Sequence, residues 1–301
     1  MKIAKTQPVR LPPRHARVIG VACGRGAGDP GCADGPDVLL QLGTLRDLEQ
    51  TDARLRWAPT LRVDAAAGDA LAAVAGICGQ VAGAVEAALA EDAFPLVIGG
   101  DHSCAVGTWS GARAHLGERG ELGLIWIDAH MDSHTFQTSP SHSLHGMPLA
   151  CLLGRGEPAL TGLRFPGPKL LPQNVCLIGV RSFEWSEAAL LRTLGVRIYF
   201  MNEVRERGLA EVFGEAVAQV NRETAGYGIS LDLDALDPAE EAGVGTPVPG
   251  GLHRRELLAA LDSVRADRRL LAMEVVEYNP HRDADHATAR TIHDFVQSLL
   301  A

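Results

Sequence analysis

Residues 122–145 read LGLIWIDAHMDSHTFQTSPSHSLH, and this stretch decides the fold. Leu124, Ile125, Trp126 and Ile127 form an unbroken apolar run that stops at Asp128. Such a run, without polar alternation, is the pattern of a parallel strand covered by helices on both faces. Asp128, His130 and Asp132 follow at intervals of two. Continued as extended chain, alternate residues share a face, so three metal-type donors are expected to gather at the strand's carboxyl end. Buried carboxylates need compensation, and a bound cation is the simplest one.

The same pattern recurs outward from this stretch. A strand-like run at 17–23 leads into a glycine-rich loop and Gly35-Pro36, with the proline placed to open a helix. The loop lacks the GxGxxG spacing of a dinucleotide site. Apolar residues at helical spacing predict a helix over 72–92. A short strand, 94–98, ends in Gly99-Gly100-Asp101-His102-Ser103, and a helix is expected to about 116. Beyond His145-Gly146-Met147-Pro148 lies a proline- and glycine-rich loop, 154–173. Strands are expected at 175–180, 196–200, 227–234 and 269–277, and helices at 186–194, 203–221, 254–265 and about 285–300. Strand–helix alternation with short apolar strands indicates an α/β fold with a parallel sheet. No repeat or linker interrupts residues 1–301, which read as one domain with an exposed tail over about 1–16.

A net charge of −9 argues against a nucleic-acid partner. No stretch approaches the roughly 18–20 apolar residues of a membrane span, so no membrane partner is expected. The six cysteines are scattered without a CxxC pair, which fits reduced thiols and a cytoplasmic location.

The polar clusters close predicted strands: His102; Asp128, His130 and Asp132; Arg181-Ser182; Asp232 and Asp234; Glu277. Ligands of open α/β sheets bind at that edge. Two histidines and four aspartates are too many donors for a tetrahedral zinc, and hard oxygens with a minority of imidazole suit Mn(II). Shared carboxylates could hold two ions about 3.5–4 Å apart, the two-metal arrangement of hydrolases.

Gly99-Gly100-Asp101-His102-Ser103, Asp128-Ala129-His130-Met131-Asp132 and the run from Ser230 to Pro238 (SLDLDALDP) resemble the three signature motifs of the ureohydrolase family, which contains arginase, agmatinase and formimidoylglutamase. Ser141, His145-Gly146-Met147-Pro148, the 245–251 loop (GTPVPGG) and Glu277-Tyr278-Asn279-Pro280 are most similar to arginases. The resemblance implies a three-layer α/β/α sandwich around an eight-stranded parallel sheet, a fold shared with the deacetylases, in a homotrimer or homohexamer. It implies two Mn(II) ions, one held by His102, Asp128, Asp132 and Asp232, the other by Asp128, His130, Asp232 and Asp234, with a bridging hydroxide attacking the guanidinium carbon of a small cationic substrate. Four aspartates would cancel the four charges of two Mn(II) ions. Glu277 would pair with the guanidinium, and Asp132 and His145 would handle protons. Arginine, giving ornithine and urea, is the expected substrate. The alternatives are agmatine, a guanidino acid or formimidoylglutamate, or a catalytically silent relative that binds metal or a partner.

Head-group recognition is implied for His134, Ser141, Ser143, Glu184 and Glu187. His134 stands where arginases usually carry Asn, Ser143 where an amide is common, and Glu184 where an Asp is usual. Other polar residues take plainer readings: Asp101, Ser103 and Asp237 as caps or turn formers, His115, His142, His281, His286 and His293 as surface residues, Cys104 as core. Trp57, Trp109, Trp126 and Trp185 read as core or interface.

Overall fold

The structure, a computed structural model, describes residues 15–52 and 54–300. The strands are β1 (Ala16–Ala22), β2 (Leu55–Trp57), β3 (Leu61–Arg62), β4 (Phe94–Ile98), β5 (Leu122–Ile127), β6 (Val175–Val180), β7 (Arg197–Phe200), β8 (Gly226–Asp232) and β9 (Leu270–Val276). The α-helices are α1 (Gly35–Gln41), α2 (Thr44–Thr51), α3 (Ala70–Ala90), α4 (Ala105–Leu116), α5 (Pro148–Leu152), α6 (Pro158–Thr161), α7 (Trp185–Leu194), α8 (Met201–Arg207), α9 (Leu209–Val220), α10 (Arg254–Val264) and α11 (Ala287–Leu300). Of the tail expected over about 1–16, residues to 14 lie outside the described ones, and Ala16 already opens β1.

Eight strands run in the order β2-β1-β4-β9-β8-β5-β6-β7, with two-residue β3 beside β1. All pairings are parallel. β5 shows why its apolar run is continuous. Ile125 and Ile127 pack into one core with α2, α9, α10 and α11, while Leu122, Leu124 and Trp126 pack into the opposite core with α3, α4 and α5. A period of two between two apolar layers leaves no position for a polar side chain until the strand ends.

The central strands β4, β9, β8 and β5 end level, with Ile98 beside Val275, Asp232 beside Val276 and Ile127 beside Leu231. Glycine allows the tightest approach at this edge. A Cβ on Gly100 would lie 1.8 Å from the Cys23 carbonyl oxygen, the same oxygen that accepts the Asp101 N–H at 2.8 Å.

Several expectations are corrected. The first strand begins at Ala16 rather than 17. Residues 203–221 form two helices, α8 and α9, because Gly208 takes φ +85° between them. The strand expected over 227–234 stops at Asp232, and Asp234 lies in a 3-10 turn. Helix α3 overturns the expectation that no stretch has the length and apolarity of a membrane span: its 21 residues are long and apolar enough, by length and composition, to cross one. It is nevertheless a core helix. Val74, Ile77, Cys78, Val81 and Val85 are buried, and the glycine face of α4 admits it so closely that a Cβ on Gly111 would lie 2.4 Å from the Ala82 carbonyl. Trp185, expected in core or interface, is 73% exposed and so is not core.

Candidate metal centre and substrate pocket

The donors gather by loop geometry rather than by strand pleat. β5 ends at Ile127, and Asp132 takes φ +47°, the left-handed region unusual for a side-chain-bearing residue. That turn brings the Asp132 carboxylate to 2.9 Å from His102 Nδ1, with Asp232 at 3.1 Å and Asp128 at 3.3 Å from the same nitrogen. His130 Nδ1 lies 3.0 Å from Asp234 and 3.5 Å from Asp128. Ligand atoms of His102, Asp128 and Asp132 lie within 4.8 Å of one another, as do those of Asp128, His130 and Asp234. Asp128 belongs to both groups, and its oxygens also accept the Trp126 indole N–H at 2.9 Å and the His130 backbone N–H at 2.7 Å.

The orientation of His102 tests whether these residues fit a cation. The Ser230 hydroxyl donates to Glu274 at 2.6 Å, so His102 Nε2, 2.9 Å from Ser230 Oγ, is the donor in that contact. A neutral imidazole then has only a lone pair at Nδ1. That lone pair faces three carboxylates, and neither it nor the buried Asp132 oxygen makes a hydrogen bond. Lone pairs converging in a buried space are the donor set of a cation site. The charges agree. Burial, then Asp234 and Asp128, push Asp232 well above the usual carboxylate range. Burial and Asp128 push Asp132 up to about 6. Four buried carboxylates cannot all stay ionised unaided, and divalent cations would relieve them.

Glu277 closes the floor. It takes φ +65°, and its Oε1 accepts the His102 backbone N–H at 2.9 Å and faces His145 Nδ1 at 3.0 Å. Its Oε2 accepts from the Cys32 thiol at 3.2 Å. Burial acts upward on Glu277, but the contact with His145 prevails and keeps it ionised. Burial acts downward on His145, but Glu277 lifts it to about 9.

Above this floor a pocket is lined by His130, Asp132, Asp232 and Thr246 at its base and by His134, Ser139, Ser141, Ser143, His145, Glu184 and Glu187 at its sides. Every residue expected at the site therefore meets in one place, with His102, Asp128, Asp234 and Glu277 beneath. Asp101, read as a cap, does cap the turn at His102, and it also accepts the Gly26 N–H at 2.9 Å, fastening the first loop to the site. Asp237 accepts the N–H groups of Gly250 and Gly251. Arg181 is caged by carbonyls, those of Asp234 and Val248 at 2.7 Å, and so holds the glycine-rich loop rather than substrate.

Sequence reasoning missed several supporting groups. Trp126 is core, as expected, but its ring also stacks on His102 at 4.2 Å and its N–H orients Asp128. Ser230, Glu274 and Trp109 form a buried relay behind His102, ending in the Trp109 N–H on Glu274 at 2.5 Å. The spacing of Ser230 from Asp232, two residues along one strand, was the available signal.

A parallel sheet with a carboxylate- and imidazole-lined pocket at its carboxyl edge defines the class: an open α/β protein whose ligand site has the donors to hold metal. The family model described as "Arginase family" matches residues 14–301. The arginase of Bacillus caldovelox is 41% identical over 292 residues, covering 94% of this chain and 97% of that one. The crystal structure of Bacillus subtilis arginase superposes with a TM-score of 0.88 at 35% identity, covering 96% and 99% of the two chains. Entamoeba histolytica arginase, solved in complex with L-ornithine, gives 0.85 at 27% identity over 94% and 97%. The chain belongs to the arginase family, hydrolases that act on C–N bonds of linear amidines and bind a binuclear metal site.

Groups that orient ligands typically tune metal affinity by ten- to a hundredfold. Trp126→Phe keeps the stacking ring but removes the donor to Asp128. Its apparent metal affinity, measured by titration of the apoprotein, is expected to fall at least roughly tenfold; an unchanged affinity would make Trp126 a packing residue only.

Proposed function

We propose that this protein hydrolyses L-arginine to L-ornithine and urea with two Mn(II) ions. His102, Asp128, Asp132 and Asp232 would hold one ion, and Asp128, His130, Asp232 and Asp234 the other. When bound, such ions supply Lewis acidity and a water that ionises near neutral pH. Glu277 binds and orients the guanidinium, whose planar N–H fork matches a carboxylate. His145, with Nδ1 on Glu277, keeps Nε2 to hold or pass a proton to the leaving amine or to solvent. Asp132 carries the other acid–base role. At the rim, Ser141 and Ser143 face the substrate carboxylate, and Glu184, supported by Glu187, its ammonium. A cytoplasmic location and a trimer or hexamer belong to the same reading.

The observation that carries this proposal is the buried Glu277 carboxylate, held at both oxygens beside six metal-type donors. It suits a cation whose charge otherwise discourages attack. A second reading, agmatine, has its own support: the pocket lining contains two glutamates and no lysine or arginine to meet a carboxylate. The test is urea release from Mn-loaded protein with L-arginine, agmatine and 4-guanidinobutyrate at matched concentrations. Preference for arginine is expected. Preference for agmatine would favour the second reading, and no urea from any of them would overturn both.

A further inference from the structure

We infer that His134 is a positioning residue: its ring nitrogens make no hydrogen bond to the substrate but steer the Glu184 carboxylate that receives the substrate's cationic head group. This rests on the function proposed above. Both ring nitrogens of His134 are engaged. Nε2 lies 3.0 Å from Glu184 Oε2, and because a carboxylate only accepts, Nε2 donates there. Nδ1 faces the Thr138 hydroxyl at 3.1 Å. The His134 backbone N–H is tied to the Gly146 carbonyl at 2.9 Å, and the residue is 7% exposed. Buried, anchored and spent at both nitrogens, the imidazole has nothing left for a ligand.

The two glutamates divide in the same way. Glu187 is 3% exposed, and its oxygens accept the backbone N–H groups of Ser133 at 3.1 Å and Glu184 at 3.0 Å. It is an organiser. The Glu184 side chain is 58% exposed, yet two partners hold it: His134, and the start of α7, where it forms a reciprocal capping box with Glu187. It is the acid the pocket presents to an arriving ammonium, with lone pairs to spare beyond those two contacts. His134 thus links the loop that follows the ligand Asp132 to the acid that reads the other end of the substrate.

The test compares three guanidines on Mn-loaded protein. L-Arginine carries ammonium and carboxylate, agmatine only the ammonium, and 5-guanidinopentanoate only the carboxylate. In His134→Ala, KM for arginine and the dissociation constant of agmatine, read by calorimetry, are expected to rise about tenfold, a loss of ~1.4 kcal/mol. The kcat for arginine and the inhibition constant of 5-guanidinopentanoate should stay within about twofold. His134→Gln, which keeps an N–H donor, should recover most of the loss. His134→Ala/Glu184→Gln should cost no more than Glu184→Gln alone, because the two side chains act as one unit. An equal loss for 5-guanidinopentanoate, or additive losses in the double variant, would overturn the inference and leave the hydrolase reading standing. A wild-type protein that neither binds nor hydrolyses any of the three would remove both.

Discussion

Asp128→Ala is expected to lower urea formation at least about a thousandfold, since the metals supply several kcal/mol of transition-state stabilisation. Asp128 stands in both donor groups, 3.3 Å from His102 Nδ1 and 3.5 Å from His130 Nδ1, and is wholly buried. Asp232 is the other carboxylate assigned to both ions, and it is already committed to them. Metal content per chain should therefore fall below two, and the rise in melting temperature expected of the wild-type protein on Mn(II) loading should shrink, because such a rise would measure binding to the folded state. Elemental analysis beside a melting curve reads both quantities without reference to turnover. A variant that kept two ions and a tenth of the activity would show that Asp128 is not shared between them.

Glu277→Gln should cost at least about a hundredfold in kcat/KM, roughly 3 kcal/mol, while metal content stays at two. The substitution nearly preserves shape. In the proposed arrangement it removes the charge that would pair with the guanidinium, and it turns an amide N–H₂ against one of two donors, the His102 N–H or the Cys32 thiol. Together the two variants separate the roles: Asp128 is expected to fail with its metal, Glu277 to fail with the metal in place. Full turnover in Glu277→Gln would move guanidinium recognition elsewhere in the pocket.

The donors were legible because their chemistry is local. A run that buries both faces must end where polar residues begin, and Asp128 follows Ile127 for that reason. The helix expected at 72–92 and the strand at 94–98 were legible for the same kind of reason, since apolar spacing alone specifies them. The break at Gly208 was less so, because one glycine inside an amphipathic pattern does not announce a positive φ. The membrane-like composition of α3 is less visible in the sequence because it is made largely of alanine and glycine rather than long aliphatic side chains.

The sequence by itself determined the parallel α/β architecture, the six donors and Glu277, because burial period and side-chain chemistry are properties of short stretches. Only the tertiary structure decided how those groups act on one another. Asp132 reaches His102 through a left-handed turn, not a pleat. Trp126 aligns Asp128, and Ser230 fixes which nitrogen of His102 is free. At the rim, His134 and Glu184 lie fifty positions apart in the chain, and their separate identities suggested two contacts to the substrate. Folding places them 3.0 Å apart. A hydrogen bond depends on distance and direction in space, and neither quantity is written in the order of the residues.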